Sequence, residues 1–498
     1  MTLLYRSTRG TADTALTASA AILQGLSPDG GLYVPTEKPQ LDLNLNDLPD
    51  LTYQQVAYKV LSAFLTDFND DELKACINAA YDDKFDDNAI APVSHHGKDF
   101  YLELFHGPTI AFKDLALSIL PHLMTTAAKK QHFDKQIVIL TATSGDTGKA
   151  AMAGFADVAD TQIIVFYPKQ GVSAIQKQQM ITQPGANTHV VAIDGNFDQA
   201  QTNVKEIFND DAFKQEIAAK GYQFSSANSI NIGRLVPQVA YYFYAYGQLI
   251  KQAAIQPGDT VNFSVPTGNF GDILAGYYAK ELGLPINRLI CASNQNNVLT
   301  DFFDTGYYDR VRPFFTTTSP SMDILVSSNL ERLIFRAVGS DATQTSAYMH
   351  ELETAGHYQI KSETLSFLKE TFSAGSATGD ADAQAIASVF KETGFAIDPH
   401  TAVAKAVADQ YRETTGDDTP MVIVSTASPY KFPNAVLSAI EGHDETTDGL
   451  DAIAQLKDTI NVPLPPAIQK LFDAPVRHKM SVNANEMKET ISKILKIR

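Results

Sequence analysis

Apolar residues recur at three- and four-residue spacing through LTYQQVAYKVLSAFL (51–65) and DDELKACINAAYDD (70–83), which predicts two amphipathic helices. Residues 1 to about 85 therefore read as a mostly helical unit. It is entered through the turn chemistry of SPDGGLYVP (27–35), with Pro28, Gly30 and Gly31.

From about 95 to 295 the pattern changes. KQIVILTAT, TQIIVFYP, THVVAID, DTVNFSVP and RLICASN are short apolar runs, each followed by helix-like sequence. Val/Ile runs alternating with helices predict strands buried on both faces of a parallel sheet. Residues 300 to 390 are aromatic-rich, then rich in Ser, Thr and Ala around TFSAGSATGDADAQ (371–384), and read as helices and an excursion from the sheet. A further βα-like unit returns at 419–442 and closes the α/β domain. MKETISKILKIR (487–498) places Met487, Ile491 and Ile494 on one helical face among lysines, a docking helix with a solvated basic side. The pattern contains no internal repeat and no long low-complexity segment.

Composition narrows the class. At 498 residues the chain allows for about three units. Its 44% hydrophobic and 19% charged residues are ordinary values for a soluble globular protein. No window approaches the roughly 20 apolar residues of a membrane span. The N-terminus has no apolar core before a cleavage site, so a cytoplasmic location is expected. Cys76 and Cys291 alone are too few for a disulfide framework and lack zinc spacing, so no metal site is expected. A net charge of −18 argues against nucleic acid and acidic membrane surfaces as partners. A basic pocket for one small anion stays possible, because distant charge is screened within about 8 Å.

Five stretches carry candidate chemistry. In HGPTIAFKDLALSILPHL (106–123), Lys113 stands between a rigid Gly107-Pro108 turn and an apolar helix. It is either the solvated end of that helix or present for its amine. ATSGDTGKAAMAGFA (142–156) follows a strand and opens a helix, the arrangement of an anion site. It is not a P-loop, since Thr143 and Ala150 stand where that motif needs Gly and Ser or Thr. VPTGNFGDILAGYYA (265–279) places Gly268 and Gly271 in a strand-to-helix turn, which is either a phosphate cup or a plain tight turn. In the stretch 225–247, Asn228, Ser229, Asn231 and Arg234 crowd a helix start; one cap would suffice there, and the cluster suits a phosphate or carboxylate. VIVSTASPYKFP (422–433) ends a strand with Ser425, Thr426 and Ser428, either hydroxyls of a strand-ending turn or ligand contacts at the carboxyl edge of a sheet. Two anion cups, a charged fork, a neutral hydroxyl and one distinctive lysine together suit a phosphorylated cofactor, a phosphorylated substrate and a Schiff-base lysine.

HGPTIAFKD, ATSGDTGKAA, NSINIGRLVPQ, PTGNFGD, DPHTAVA and STASPYKF, in this order, resemble threonine synthase, a pyridoxal-phosphate enzyme of the second fold type. The likeness runs from YRSTRG near the start to about residue 435. It implies an α/β fold of type II with two lobes that each contain a parallel sheet, a mostly helical N-terminal domain and a helical C-terminal extension. The divisions are 1–90, 91–440 with a smaller mobile lobe at about 108–240, and 441–498. The resemblance implies that Lys113 holds pyridoxal 5'-phosphate as a Schiff base and then shuttles protons at Cα and Cβ. Phe112 would lie against the cofactor ring, Gly268, Asn269, Phe270 and Gly271 would cup its phosphate, and Thr426 would meet the pyridine nitrogen. Ser144, Asp146, Thr147, Asn228, Ser229, Asn231 and Arg234 would share the substrate's phosphate and carboxylate.

The implied reaction turns O-phospho-L-homoserine and water into L-threonine and phosphate, the last step of threonine biosynthesis, and makes the enzyme a carbon–oxygen lyase acting on phosphates. The departing phosphate would stay bound and assist the water. Ser428 stands where the family pattern has His, and it receives no role. Asp398 and His400 read as structural, with Asp398 a helix cap. The bacterial and fungal form points to a monomer. A serine or threonine dehydratase needs no site for a substrate phosphate, and a catalytically dead binding protein would not need Lys113. These are the rival readings.

Overall fold

The computed structural model describes residues 2–10, 15–143, 145–169, 172, 174–195, 197–443, 447 and 449–497. The five Val/Ile runs become strands for the expected reason: each side of each strand has a helix to cover it. Gln136–Ala142, Thr161–Pro168 and Thr188–Asp194 form a smaller parallel sheet with Tyr222–Ser225 and Met480–Asn483 at its edges. Val261–Pro266, Ile286–Ser293 and Met421–Ser425 form a larger one with Phe372–Ser376 and Asp99–Glu103, all parallel. Val93–His96 closes its other edge as an antiparallel hairpin partner of Asp99–Glu103. Every residue of Val261–Pro266 and of Met421–Ser425 is buried, as central strands of a doubly covered sheet require.

Several strands depart from the pattern read in the sequence. Phe372–Ser376 lies in the Ser/Ala-rich stretch and is an edge strand, where one open side tolerates Ser and Gly. Val93–His96 with Asp99–Glu103 was not apparent as a pair because its polar and apolar residues mix. In the otherwise helical C-terminal region Met480–Asn483 adds a strand to the smaller sheet, and Met487–Ile494 then packs Met487 and Ile491 into that sheet's core.

The N-terminal unit carries helices Tyr53–Phe64 and Asp70–Ala80, each opened by a capping box, Thr52 with Gln55 and Asn69 with Glu72. Their apolar faces join the continuous core around the buried helix Val239–Lys251. A two-stranded piece, Tyr5–Ser7 with Tyr33–Pro35, lies at the start of this unit. It is tied to the rest by Arg332, a fully buried guanidinium that donates to the Tyr33 carbonyl at 2.9 Å, to the Asn329 side chain and to the Ile230 carbonyl at 2.5 Å.

The arrangement turns several strand ends toward one crevice, the usual ligand position of open α/β sheets. Ala142 leads into the helix Asp146–Phe155, Pro266 into the helix Gly271–Glu281, and Ser425 into Thr426.

Candidate active site

Lys113 opens a short helix, Lys113–Leu117, directly after a loop zipped to another strand end. Phe112 N–H donates to the Thr426 carbonyl at 2.8 Å, Ser428 N–H donates to the Ile110 carbonyl at 3.1 Å, and Ala111 and Ala427 form a bridge. The Gly107-Pro108 turn is held from inside: Thr109 donates through N–H and hydroxyl to the buried Asp114 at 2.7 and 2.5 Å. A side chain on Gly107 would strike Asp114, its Cβ falling 2.5 Å from that of Asp114. The setting of Lys113 thus answers to its amine and not to a solvated helix end.

The Lys113 side chain is only 11% exposed. Burial lowers its amine to about 8, with Asp146 pulling the other way and Arg234 and Lys431 adding to the descent. Its Nζ donates to Ser321 Oγ at 3.1 Å and lies 3.7 Å from Asp146 Oδ2. Ser321 Oγ in turn donates to Asp146 Oδ2 at 2.9 Å. Asp146 Oδ1 receives Lys431 Nζ at 3.1 Å and Gln176 Nε2 at 2.8 Å. Burial works against the Asp146 charge, but the two lysines outweigh it and hold the carboxyl far below its usual range.

Ser321 is held by its backbone. Its N–H donates to His400 Nε2 at 3.2 Å, and His400 Nδ1 lies 2.7 Å from Asp398 Oδ2, which fixes the tautomer with the proton on Nδ1. Asp398 is also the expected cap, accepting from the N–H groups of His400 and Thr401. The pair His400–Asp398 therefore has a structural role that reaches the lysine through one residue.

The turn 268–271 lies on the other side of Ser321. A Cβ on Gly268 would sit 2.7 Å from the Ser321 carbonyl oxygen. Phe270 is left-handed, φ +64, and its ring stacks on Phe303 in the core, so only its backbone can face a ligand. Asn269 is exposed, and its carbonyl accepts the N–H of Asn329 at 3.0 Å. Gly271 starts an 11-residue helix, whose free N–H groups suit a phosphate.

The remaining expected contacts divide. Ser144 lies outside the described residues. Thr147 is half-buried on the first turn of Asp146–Phe155, whose start is shaped by Gly145 at φ +154. Asn228 is exposed and Ser229 half-buried. Arg234 is 4% exposed; it donates from Nη1 to the Ala227 carbonyl at 2.9 Å, while its buried Nε has no hydrogen-bond partner among the described residues. Burial lowers it to about 10, still a cation at neutral pH. Such a group suits an anionic ligand. Asn231 differs: it is fully buried, accepts from Gly233 N–H at 2.9 Å and donates to the Ile22 carbonyl at 3.0 Å, as a cap that ties in the N-terminal unit. Asp146 also differs, since its partners are lysines and a carboxylate repels a phosphate.

Sequence reasoning missed Ser321, Lys431 and Gln176. Lys431 lay within STASPYKF with no signal of its own; Ser321 and Gln176 lay in none of the stretches singled out. Among the described residues no group of three His, Cys, Asp or Glu could hold a metal ion, and no helix is long and apolar enough to cross a membrane.

The site fits pyridoxal phosphate on its own geometry: a buried amine, a turn with no room for a Cβ at Gly268, a helix start and, on the strand end zipped to the lysine loop, a buried threonine. Comparison with known proteins agrees. Residues 4–81 match the family described as threonine synthase N terminus, 91–427 that of pyridoxal-phosphate dependent enzymes and 401–491 that of threonine synthase, C-terminal. A threonine synthase of Pseudomonas aeruginosa is 38% identical over 87% of this chain and 90% of its own length. Human Threonine synthase-like 1 is 42% identical over 85% of this chain, which spans 58% of that protein's length. The crystal structure of a PLP-bound threonine synthase from Brucella melitensis superposes with a TM-score of 0.87 at 38% identity over 99% of both chains. That of yeast threonine synthase gives 0.88 at 32% over the same shares.

Proposed function

The chain belongs to the threonine synthase family of pyridoxal-phosphate-dependent enzymes, and on that premise we propose that it converts O-phospho-L-homoserine and water to L-threonine and phosphate. The observation that carries this reading is Ser321. Its hydroxyl accepts from Lys113 Nζ at 3.1 Å and its carbonyl packs where a Cβ on Gly268 would stand, so amine and phosphate turn flank one residue.

Lys113 would hold the cofactor, Phe112 would lie against its ring, the 268–271 turn would take its phosphate through backbone N–H groups, and Thr426 would meet its ring nitrogen. Bound pyridoxal phosphate supplies the electron sink that makes substrate protons at Cα and Cβ removable. Lys113 removes the Cα proton and then one from Cβ, and an amine lowered to about 8 is partly neutral where such work is done. The phosphate leaves from Cγ, a proton is returned to Cγ, water adds its hydroxyl at Cβ, and a proton returned to Cα completes threonine. Arg234, with Thr147, Asn228 and Ser229, is read as the grip on substrate anions, because its buried Nε, without a hydrogen-bond partner among the described residues, needs an acceptor. A phosphate kept there stays at high effective concentration beside the incoming water. Asp146 and Asn231 act indirectly, one on the lysines and one on the helix start.

Incubation with O-phospho-L-homoserine tests the reading. Equal amounts of threonine and phosphate support it; turnover of L-serine or L-threonine alone would replace it with a dehydratase.

A further inference from the structure

Lys431 is 1% exposed, yet its ammonium lies 3.1 Å from Asp146 Oδ1 and donates to the Thr109 carbonyl at 2.9 Å. Asp146 thus has two lysines and treats them unequally. Lys431 makes the shorter contact, whereas Lys113 stands at 3.7 Å from Oδ2 with Ser321 Oγ beside the pair, bonded to both. The single hydroxyl proton of Ser321 is spent on Asp146, so Ser321 can only accept from Lys113.

We propose that Lys431 is a positioning residue for Lys113: by making the closer ion pair with Asp146 and adding a like charge, it leaves the Lys113 amine with the longer contact and able to lose its proton. The proposal rests on the reading of Lys113 as the base of the reaction. The charged and titratable groups facing the cluster are Lys113 and Asp114 beside the loop, Asp146 and Lys149 on the helix Asp146–Phe155, and Arg234, His400 and Lys431. Lys149 hydrogen-bonds to Gln183, and burial lowers it to about 7. Asp114 is occupied by Thr109. Neither competes for Asp146.

Removal of Lys431 frees Asp146 and deletes a like charge, and both effects favour protonated Lys113. Removal of the Asp146 charge does the opposite. The test is trace acetylation of the full-length chain, freed of cofactor, across neutral to alkaline pH, with Lys113 acetylation read by mass spectrometry. Only the neutral amine reacts, so the midpoint reports its proton affinity. In Lys431→Gln the midpoint rises by about one pH unit or more, and in Asp146→Asn it falls below that of the unaltered chain. The acid limb of kcat against pH, which reports the enzyme–substrate complex where the Lys113 amine is free, moves in the same directions. A lysine with a merely structural role would lower activity without moving either midpoint. An unmoved Lys431→Gln midpoint, or two variants shifting in the same direction, overturns the proposal. If Lys431→Gln does not fold, an Asp146→Asn midpoint that fails to fall overturns it alone. Labelling needs no substrate, so opposite shifts without threonine formation uphold this role of Lys431 and reject the reaction. Threonine formation with unmoved midpoints does the reverse.

Discussion

The carbonyl oxygen of Ser321 lies 2.7 Å from the position that a Cβ on Gly268 would take. The 268–271 turn and the loop that meets Lys113 are therefore packed without room for a methyl group at Gly268, and the atom in the way is backbone. Gly268→Ala should cost about 1–3 kcal/mol of stability through overpacking. It should also weaken cofactor binding by about tenfold or more as the turn shifts. Titration of the cofactor-free variant with pyridoxal phosphate, followed by visible absorbance, measures the second effect.

Arg234 offers a buried Nε in fixed planar geometry. Arg234→Lys keeps the charge and loses the fork, so KM for O-phospho-L-homoserine should rise about tenfold while the visible band of bound cofactor is kept. Steady-state kinetics beside an absorption spectrum checks both halves.

His106 precedes the Gly107-Pro108 turn and lies between Asp86 at 2.6 Å and Glu103 at 3.0 Å. Burial opposes its charge, but these carboxylates outweigh it and raise the imidazole to about 9. The folded value exceeds the unfolded one near 6.5, so its contribution is fully present below about 6.5 and lost as pH climbs through about 9, up to about 3 kcal/mol. Denaturant unfolding of wild type and His106→Gln should therefore differ most at low pH, with the gap closing across that window.

The smaller sheet includes Met480–Asn483 from the C-terminal region beside strands drawn from 136–225. We propose that residues 108–240 close over substrate, and this pairing requires the C-terminal strand to travel with them. Hydrogen exchange should slow in both segments on addition of a substrate analogue. Unchanged exchange in either would count against closure as one body.

The sequence made the two sheets legible wherever strands were covered on both faces, because continuous Val/Ile runs such as Val261–Pro266 admit little else. It hid the edges. Phe372–Ser376 and Met480–Asn483 are half-open strands whose Ser, Gly and Asn residues read as loop. At the site, Lys113 stood out from its local setting, whereas the glycine turn and Thr426 each left two readings open and drew their roles from the resemblance. Ser321, Lys431 and Gln176 were not, since their significance comes from convergence on Asp146 across a long stretch of chain. Asn231 was read for its polar group, and the fold commits that group to a cap and to Ile22.

The central claim is that Lys113 is both the cofactor's anchor and the base. The most direct measurement records the visible absorption band and the threonine and phosphate formed from O-phospho-L-homoserine, for wild type and Lys113→Ala together. The account predicts a band and both products in equal amounts for wild type, and neither in the variant. A band that persists in Lys113→Ala with turnover intact would contradict it.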